Sequence, residues 1–233
     1  MKLHLLPFAV LVLAHPAGGE APRAGGSVRG TIRVIDHGTA VAHDHVYVYL
    51  QAVHHRRGAL PGAGMTAEIR QVKKEFVPQV LVVPTGASVA FPNYDNEEHN
   101  VFSPSDPPGQ FDLGRYSTDK KGKTHEFDDP AEVDIFCDIH KEMWAKVKVV
   151  DTRYFVAANA KGEFAIDHVA PGTYKVVGWL PNNKEETRAS QPIVVTDGAT
   201  VQVGEELHLQ LDIAGGKPHL RKDGTPYGPY PQR

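Results

Sequence analysis

Phe136-Cys137-Asp138-Ile139-His140-Lys141-Glu142-Met143-Trp144 holds the single cysteine of the chain, with a histidine three residues on and a methionine three further. On its N-terminal side, Glu132-Val133-Asp134-Ile135-Phe136 alternates apolar and polar residues. On its C-terminal side, Ala145-Lys146-Val147-Lys148-Val149-Val150 does the same. A period of two is the signature of a half-buried strand, so the stretch reads as strand, loop, strand. Hydrogen bonding between the strands fixes the loop ends, and the loop side chains need not rely on loop rigidity alone.

Working outward, the neighbouring segments are also short and cut by Pro and Gly. Thr124-His125-Glu126-Phe127 reads as a strand paired with 132–136, after a charged turn at Asp119 to Lys123 and a Pro-rich segment from Ser103 to Gly109. Further back lie Ile69 to Phe76, Val77 to Val83, the turn Pro84-Thr85-Gly86 and Ala87 to Asn93. The N-terminal part offers strands at Val28 to Ile35 and Val46 to Val53. In the second, Val46, Val48, Leu50 and Ala52 share one face, with Tyr47, Tyr49 and Gln51 on the other. Beyond Asp151, strands at Glu163–Ile166, Thr173–Trp179, Ile193–Val195, Thr200–Val203 and Leu207–Ile213 alternate with turns such as Asn159-Ala160-Lys161-Gly162. The fold class predicted is all-β, built as sandwiches.

The chain has 233 residues, with 22 Gly and 18 Pro spread along it, enough for one large or two modest β domains. The formal net charge of -3 gives no signal for nucleic acid. Residues 1–14 carry a basic start and a short apolar core, Leu5 to Ala14, too short to span a bilayer. They read as a secretory signal, with Val12-Leu13-Ala14 suited to cleavage and Ala17 and Ala21 as other options. The body is then expected outside the cytoplasm, periplasmic or secreted in the bacterial manner, with no membrane span after signal removal. Residues 15–27 read as a flexible lead-in and residues 214–233 as a disordered tail.

An exported chain with one cysteine cannot make an internal disulfide. An isolated cysteine is most often a small buried apolar residue, but the spacing of His140 and Met143 argues for a bound metal. Thiolate, imidazole and thioether on one loop lack only a second imidazole, and His99 in Asn96-Glu97-Glu98-His99-Asn100 is the candidate. Reduced copper prefers soft sulfur and oxidised copper accepts imidazole. Two His and one Cys with an axial Met therefore suit both states. Zinc also accepts Cys and His, but it seldom takes thioether, and its structural sites use paired ligands at short spacing. Four protein ligands leave no open position for a substrate. One-electron transfer is then the natural task, and no enzyme activity is expected.

Residues 69–150 resemble the cupredoxin family of small blue-copper proteins. Phe76-Val77-Pro78, Gly86, Val89, Phe91-Pro92-Asn93 and His99-Asn100 are similar to the approach to the first histidine in plastocyanins. The spacing Cys137-x2-His140-x2-Met143 resembles the ligand loop of amicyanin. The resemblance implies a Greek-key sandwich over residues 67–150. It also implies one type 1 copper ion held by His99, Cys137, His140 and Met143, with the backbone N–H of Asn100 supporting the sulfur. Residues 159–179 look like the second half of a carboxypeptidase regulatory-like (transthyretin-like) sandwich, and Val28 to Leu50 like its first half. That implies a copper domain inserted into a smaller sandwich made of residues 28–66 and 151–213. The same mixture resembles bacterial methylamine-utilisation-type exported proteins.

His43, His45, His54 and His55 cluster around the second strand. They offer a possible second metal site or, more simply, a solvated histidine-rich edge. Glu97, Glu98 and the run Asp128 to Asp134 place acids near the candidate site, available to steer a basic redox partner or simply to be solvated. Asp138, Lys141 and Glu142 make the ligand loop polar. A copper carrier or sensor using the same ligands, and a carbohydrate- or protein-binding module, are the alternative functions.

Overall fold

The computed structural model describes residues 25–54, 59–189, 191–212, 220 and 222–225. The segment read as a secretory signal, His55, most of the segment read as a lead-in and most of 214–233 lie outside the described residues. Those described form an all-β structure of four five-stranded sheets, and no helix among them is long and apolar enough to cross a membrane.

With the strands numbered along the chain, the first sheet centres on β1 (Gly26–Asp36). It is joined by β2 (Thr39–Val41), β15 (Glu163–Val169), β19 (Thr200–Gln202) and β20 (Leu207–Gln210). The second sheet runs β14 (Phe155–Ala157), β3 (Tyr47–Ala52), β16 (Gly172–Trp179) and β17 (Thr187–Arg188), with β18 (Ile193–Val195) beside β16. The third runs β10 (Phe111–Tyr116), β9 (His99–Ser103), β12 (Ala131–Phe136), β13 (Trp144–Val150) and β7 (Val80–Pro84). The fourth runs β11 (Asp119–Phe127), β8 (Ala87–Asn93), β5 (Arg70–Val72) and β6 (Glu75–Val77), with β4 (Thr66–Glu68) beside β8.

The sheets stack as four layers with three apolar fillings. Val28, Ile32, Val48, Leu50, Ile166, Val176 and Leu209 fill the space between the first and second sheets. Ile69, Phe76, Val83, Phe91, Val101, Ile135, Val147 and Cys137 fill the space between the third and fourth. A smaller seam of Tyr47, Tyr49, Val80, Val82, Val150, Val177 and Trp179 joins the second sheet to the third. The period of two explains each strand's part. In β3, Val48 and Leu50 point into one core while Tyr47 and Tyr49 point into the seam. In β7, Leu81 and Val83 face one core and Val80 and Val82 the seam, so the strand is buried on both faces and its sequence is continuously apolar.

Strands on either side of residues 66–150 share the first two sheets, since β1 pairs with β15 antiparallel and with β19 and β20 parallel, and β3 with β16 antiparallel. Gly162 shows how closely this part is packed. Its φ is +78, and a Cβ there would sit 2.1 Å from the carbonyl oxygen of Ile32, whose own N–H bonds the Gly162 carbonyl at 2.8 Å.

Several expectations need correction. The strand at 124–127 does not pair with 132–136. It lies in β11 against β8, while β12 pairs with β13 and β9. Phe127 and Val133 enter the same core from opposite sheets, so the Asp128-Asp129-Pro130 link crosses the sandwich instead of closing a hairpin. The charged turn at Asp119–Lys123 is the bulged start of β11, with Gly122 at φ +71. The strand β10 has too little alternation to be read from sequence. In the segment 214–233, Lys222 meets Asp138 and Asp112.

Candidate metal centre

One end of the third sheet gathers the candidate ligands. His99 opens β9, opposite Tyr116 of β10. Cys137 follows directly on β12, where Phe136 pairs with Phe102 on one side and Trp144 on the other. His140 and Met143 occupy the loop from β12 to β13. That loop is closed by two backbone bonds, from Cys137 N–H to the Met143 carbonyl and from Met143 N–H to the His140 carbonyl, at 3.3 and 3.1 Å.

His99, Cys137 and His140 each present one ligand atom, and these atoms lie within 4.8 Å of one another. The Nδ1 atoms of His99 and His140 are 3.1 Å apart, and Cys137 Sγ is 3.7 Å from His140 Nδ1. The two rings meet edge to face, with centroids 4.9 Å apart. All three residues are buried, and so is Met143, which packs in the same core as Cys137. The thiol and the ring of residue 99 are thus neighbours, although 38 residues separate them in sequence (137 minus 99).

Carboxylates hold the outer edges of both rings. His99 Nε2 lies 2.8 Å from Asp95 Oδ2, and His140 Nε2 lies 3.3 Å from Glu97 Oε2. Each contact leaves Nδ1 of its ring turned inward. Asp95 is itself fixed, because its carboxylate accepts the backbone N–H groups of Lys73 and Lys74 at 2.6 and 2.9 Å. Those two residues form the tight turn from β5 to β6 in the left-handed region, at φ +55 and +61.

The cysteine environment favours the thiolate. Burial opposes ionisation, but hydrogen bonds from His99 and from the backbone N–H groups of Asn100, Ile139 and His140 outweigh it and hold the Cys137 thiol below its ordinary range. Burial also opposes charge on His99, yet Cys137 and Asp95 raise it above the ordinary histidine value. Burial and the positive neighbours His99 and Lys74 hold His140 below it.

Asp138, expected to make the loop merely polar, is buried and clamped. Its carboxylate accepts Arg115 at 2.7 Å and the Lys222 backbone N–H at 3.1 Å, while its own N–H donates to Asn100 Oδ1 at 3.2 Å. Asn100 Nδ2 in turn donates to Asp112, which Lys222 Nζ also meets at 3.0 Å. Sequence reasoning missed Asp95, Asp112 and Lys222. The acid four residues before His99 was a usable signal, whereas Lys222 comes from a distant segment and gave none. Among the described residues, His43, His45 and His54 form no metal-binding group with other His, Cys, Asp or Glu. They lie on exposed chain, with His45 at φ +62.

A family profile described as polysaccharide lyase family 4, domain II, matches residues 143–203. No curated protein matches the chain. Among solved structures, a purple cupredoxin from Nitrosopumilus maritimus is similar at 23% identity and TM-score 0.31, over 36% of this chain and 99% of its own. Amicyanin from Paracoccus versutus is similar at 20% identity and TM-score 0.34, over 36% of this chain and 81% of its own. A copper-containing nitrite reductase from Thermus scotoductus is similar at 22% identity and TM-score 0.33, over 50% of this chain and 28% of its own.

Proposed function

We propose that this chain is an exported type 1 copper protein that carries single electrons, with His99, Cys137, His140 and Met143 as ligands. In this reading residues 67–150 form a copper domain inserted into a second sandwich made of residues 28–66 and 151–213. The observation that carries it is the convergence of two imidazole Nδ1 atoms and the only thiol at one sheet end.

The donor set fits copper. A thiol held toward its thiolate, two rings with Nδ1 turned inward and a buried thioether in the same loop match the mixed sulfur and nitrogen preference of an ion that cycles between Cu(I) and Cu(II). When bound, copper supplies a one-electron couple. The chain's own contribution is to hold the donors so that little moves between oxidation states. His99 is set by β9 and Asp95, Cys137 by β12 and three backbone N–H groups, and Met143 by its place in the core. Carriage of electrons is favoured over catalysis because a four-ligand set offers no open position. Among the described residues of 28–66 and 151–213, the exposed large apolar side chains are Val53, Leu60 and Val194, all aliphatic, which favours the electron-transfer reading over sugar stacking. In this reading the redox partner is another protein.

Titration of the copper-free protein with Cu(II) tests the reading. The expected result is one equivalent bound, an intense visible thiolate-to-copper band, its loss in Cys137→Ser, and reversible one-electron cycling. Binding without that band, or rapid release of the metal to a mild chelator, overturns it in favour of a copper carrier or sensor.

A further inference from the structure

His140 is 7% exposed, and the group lying over its Nε2 is the carboxylate of Glu97 at 3.3 Å. Glu97 is placed with care for a surface residue. Its backbone carbonyl accepts Asn93 Nδ2 at 2.9 Å, and Asn93 is fully buried. Its carboxylate also meets Lys74 Nζ at 3.1 Å. Lys74 belongs to the same turn that fixes Asp95 through its backbone. One turn therefore sets the partners of both rings. The two partners differ in exposure, because the side chain of Asp95 is 14% exposed and that of Glu97 46%.

We infer that Glu97 is a positioning residue for His140, holding its ring with Nδ1 inward and placing a negative charge that favours the more positive oxidation state of the ion bound there. This rests on the copper reading above. The physical basis is general: a carboxylate on the far nitrogen of a ligating imidazole fixes the ring and strengthens it as a donor. Negative charge near a redox ion stabilises its oxidised form by simple Coulomb attraction. Because Glu97 faces water and Lys74 partly neutralises it, the effect is screened and salt-dependent.

Glu97→Gln is the informative variant. The amide has the same size, retains a hydrogen-bonding group beside Nε2 and leaves the backbone contact to Asn93 intact, so it removes charge without removing the loop anchor. The expected result is an unchanged visible band and a loss of about threefold to tenfold in the preference for Cu(II) over Cu(I). At about 59 mV per tenfold for one electron, that is a rise in reduction potential of up to about 59 mV. Glu97→Lys raises it further. Added salt brings the wild-type potential toward that of Glu97→Gln and moves the variant less, a response that loosened packing would not produce. If the wild type shows its band and all three proteins share one potential at low salt, the inference fails and the copper reading stands. If the wild type binds no copper, both fail.

Discussion

Replacing Trp179 with alanine removes the largest side chain of the seam between the second and third sheets. Trp179 is fully buried on β16. Its ring lies 5.8 Å from that of Tyr47 and 5.4 Å from Lys148 Nζ, and its Nε1 donates to Glu132 Oε2 at 3.0 Å. A buried aromatic of this size covers roughly 150–250 Å². At about 25 cal/mol per Å² that is roughly 4–6 kcal/mol, an upper bound because unfolded chains already bury some surface. Large-to-small changes at such sites cost about 3–5 kcal/mol. Glu132 keeps Lys146 as a partner at 3.0 Å, so an orphaned acid adds little. The seam is smaller than either core, so the loss falls on the coupling between the two halves as much as on either half. The melting temperature is expected to drop by about 6–20 °C, measured on the copper-free protein.

The assay follows from the sequence. The chain has two tryptophans, Trp144 and Trp179, so in the variant Trp144 fluorescence reports the ligand-bearing half alone. Far-ultraviolet circular dichroism reports all strands. Wild type is expected to unfold with the two probes coincident, and the variant with them separated, because the halves then open independently. A loss below about 1 kcal/mol with coincident probes would refute the reasoning, since a residue filling a real seam exceeds the ordinary surface range.

Two further outcomes are expected. Lys146, with a side chain 6% exposed, lies 3.0 Å from Glu132 and 2.7 Å from Asp134; Lys146→Met leaves those acids facing each other and costs about 2 kcal/mol, discounted from the buried-pair range because both acids reach water. Urea midpoints check it, and adding Glu132→Gln and Asp134→Asn recovers most of the loss. His125 stacks on Phe111 at 4.0 Å, and burial holds its imidazole below the ordinary value despite Asp128. The folded state thus resists protonation there, so this contribution is complete above about pH 6.5 and shrinks as pH falls toward the folded value. His125→Phe should therefore lose less stability than wild type between pH 7 and pH 5, and equal losses in urea titrations would refute the assignment.

The all-β class was legible because alternation is a local property, visible in Val46 to Ala52 or Ala145 to Val150 without knowing any partner. Pairing is not local. Thr124–Phe127 and Glu132–Phe136 both alternate and are separated by a short polar link, which suits a hairpin as well as a crossing between sheets. Only the shared core of Phe127 and Val133 distinguishes them. The seam was hidden for a similar reason, since Tyr47 and Tyr49 suit an exposed face as well as a buried one. At the candidate centre, Cys137, His140 and Met143 are marked by their spacing and His99 by its type. Asp95, Asp112 and Lys222 act through charge on neighbours brought near by the fold, and ordinary acids and lysines carry no periodic signal.

The strand β13 ties these observations together. It begins at Trp144, directly after Met143, so it leaves the ligand loop without a linker. Ala145, Val147 and Val149 face the core that holds Cys137, while Lys146, Lys148 and Val150 face the seam. The two lysines are held on that second face by ion pairs, the buried Lys146 to Glu132 and Asp134 and the part-buried Lys148 to Glu186 at 2.9 Å. Glu186 also accepts the hydroxyl of Tyr49 from the second sheet. A half-buried strand is fixed by one core and its hydrogen bonds; β13 is fixed by a core on one face and by paired charges on the other. The downstream end of the ligand loop is thereby braced from the second sheet through Glu186 and the seam, which gives that sheet a physical part in holding the candidate centre without contributing a ligand to it.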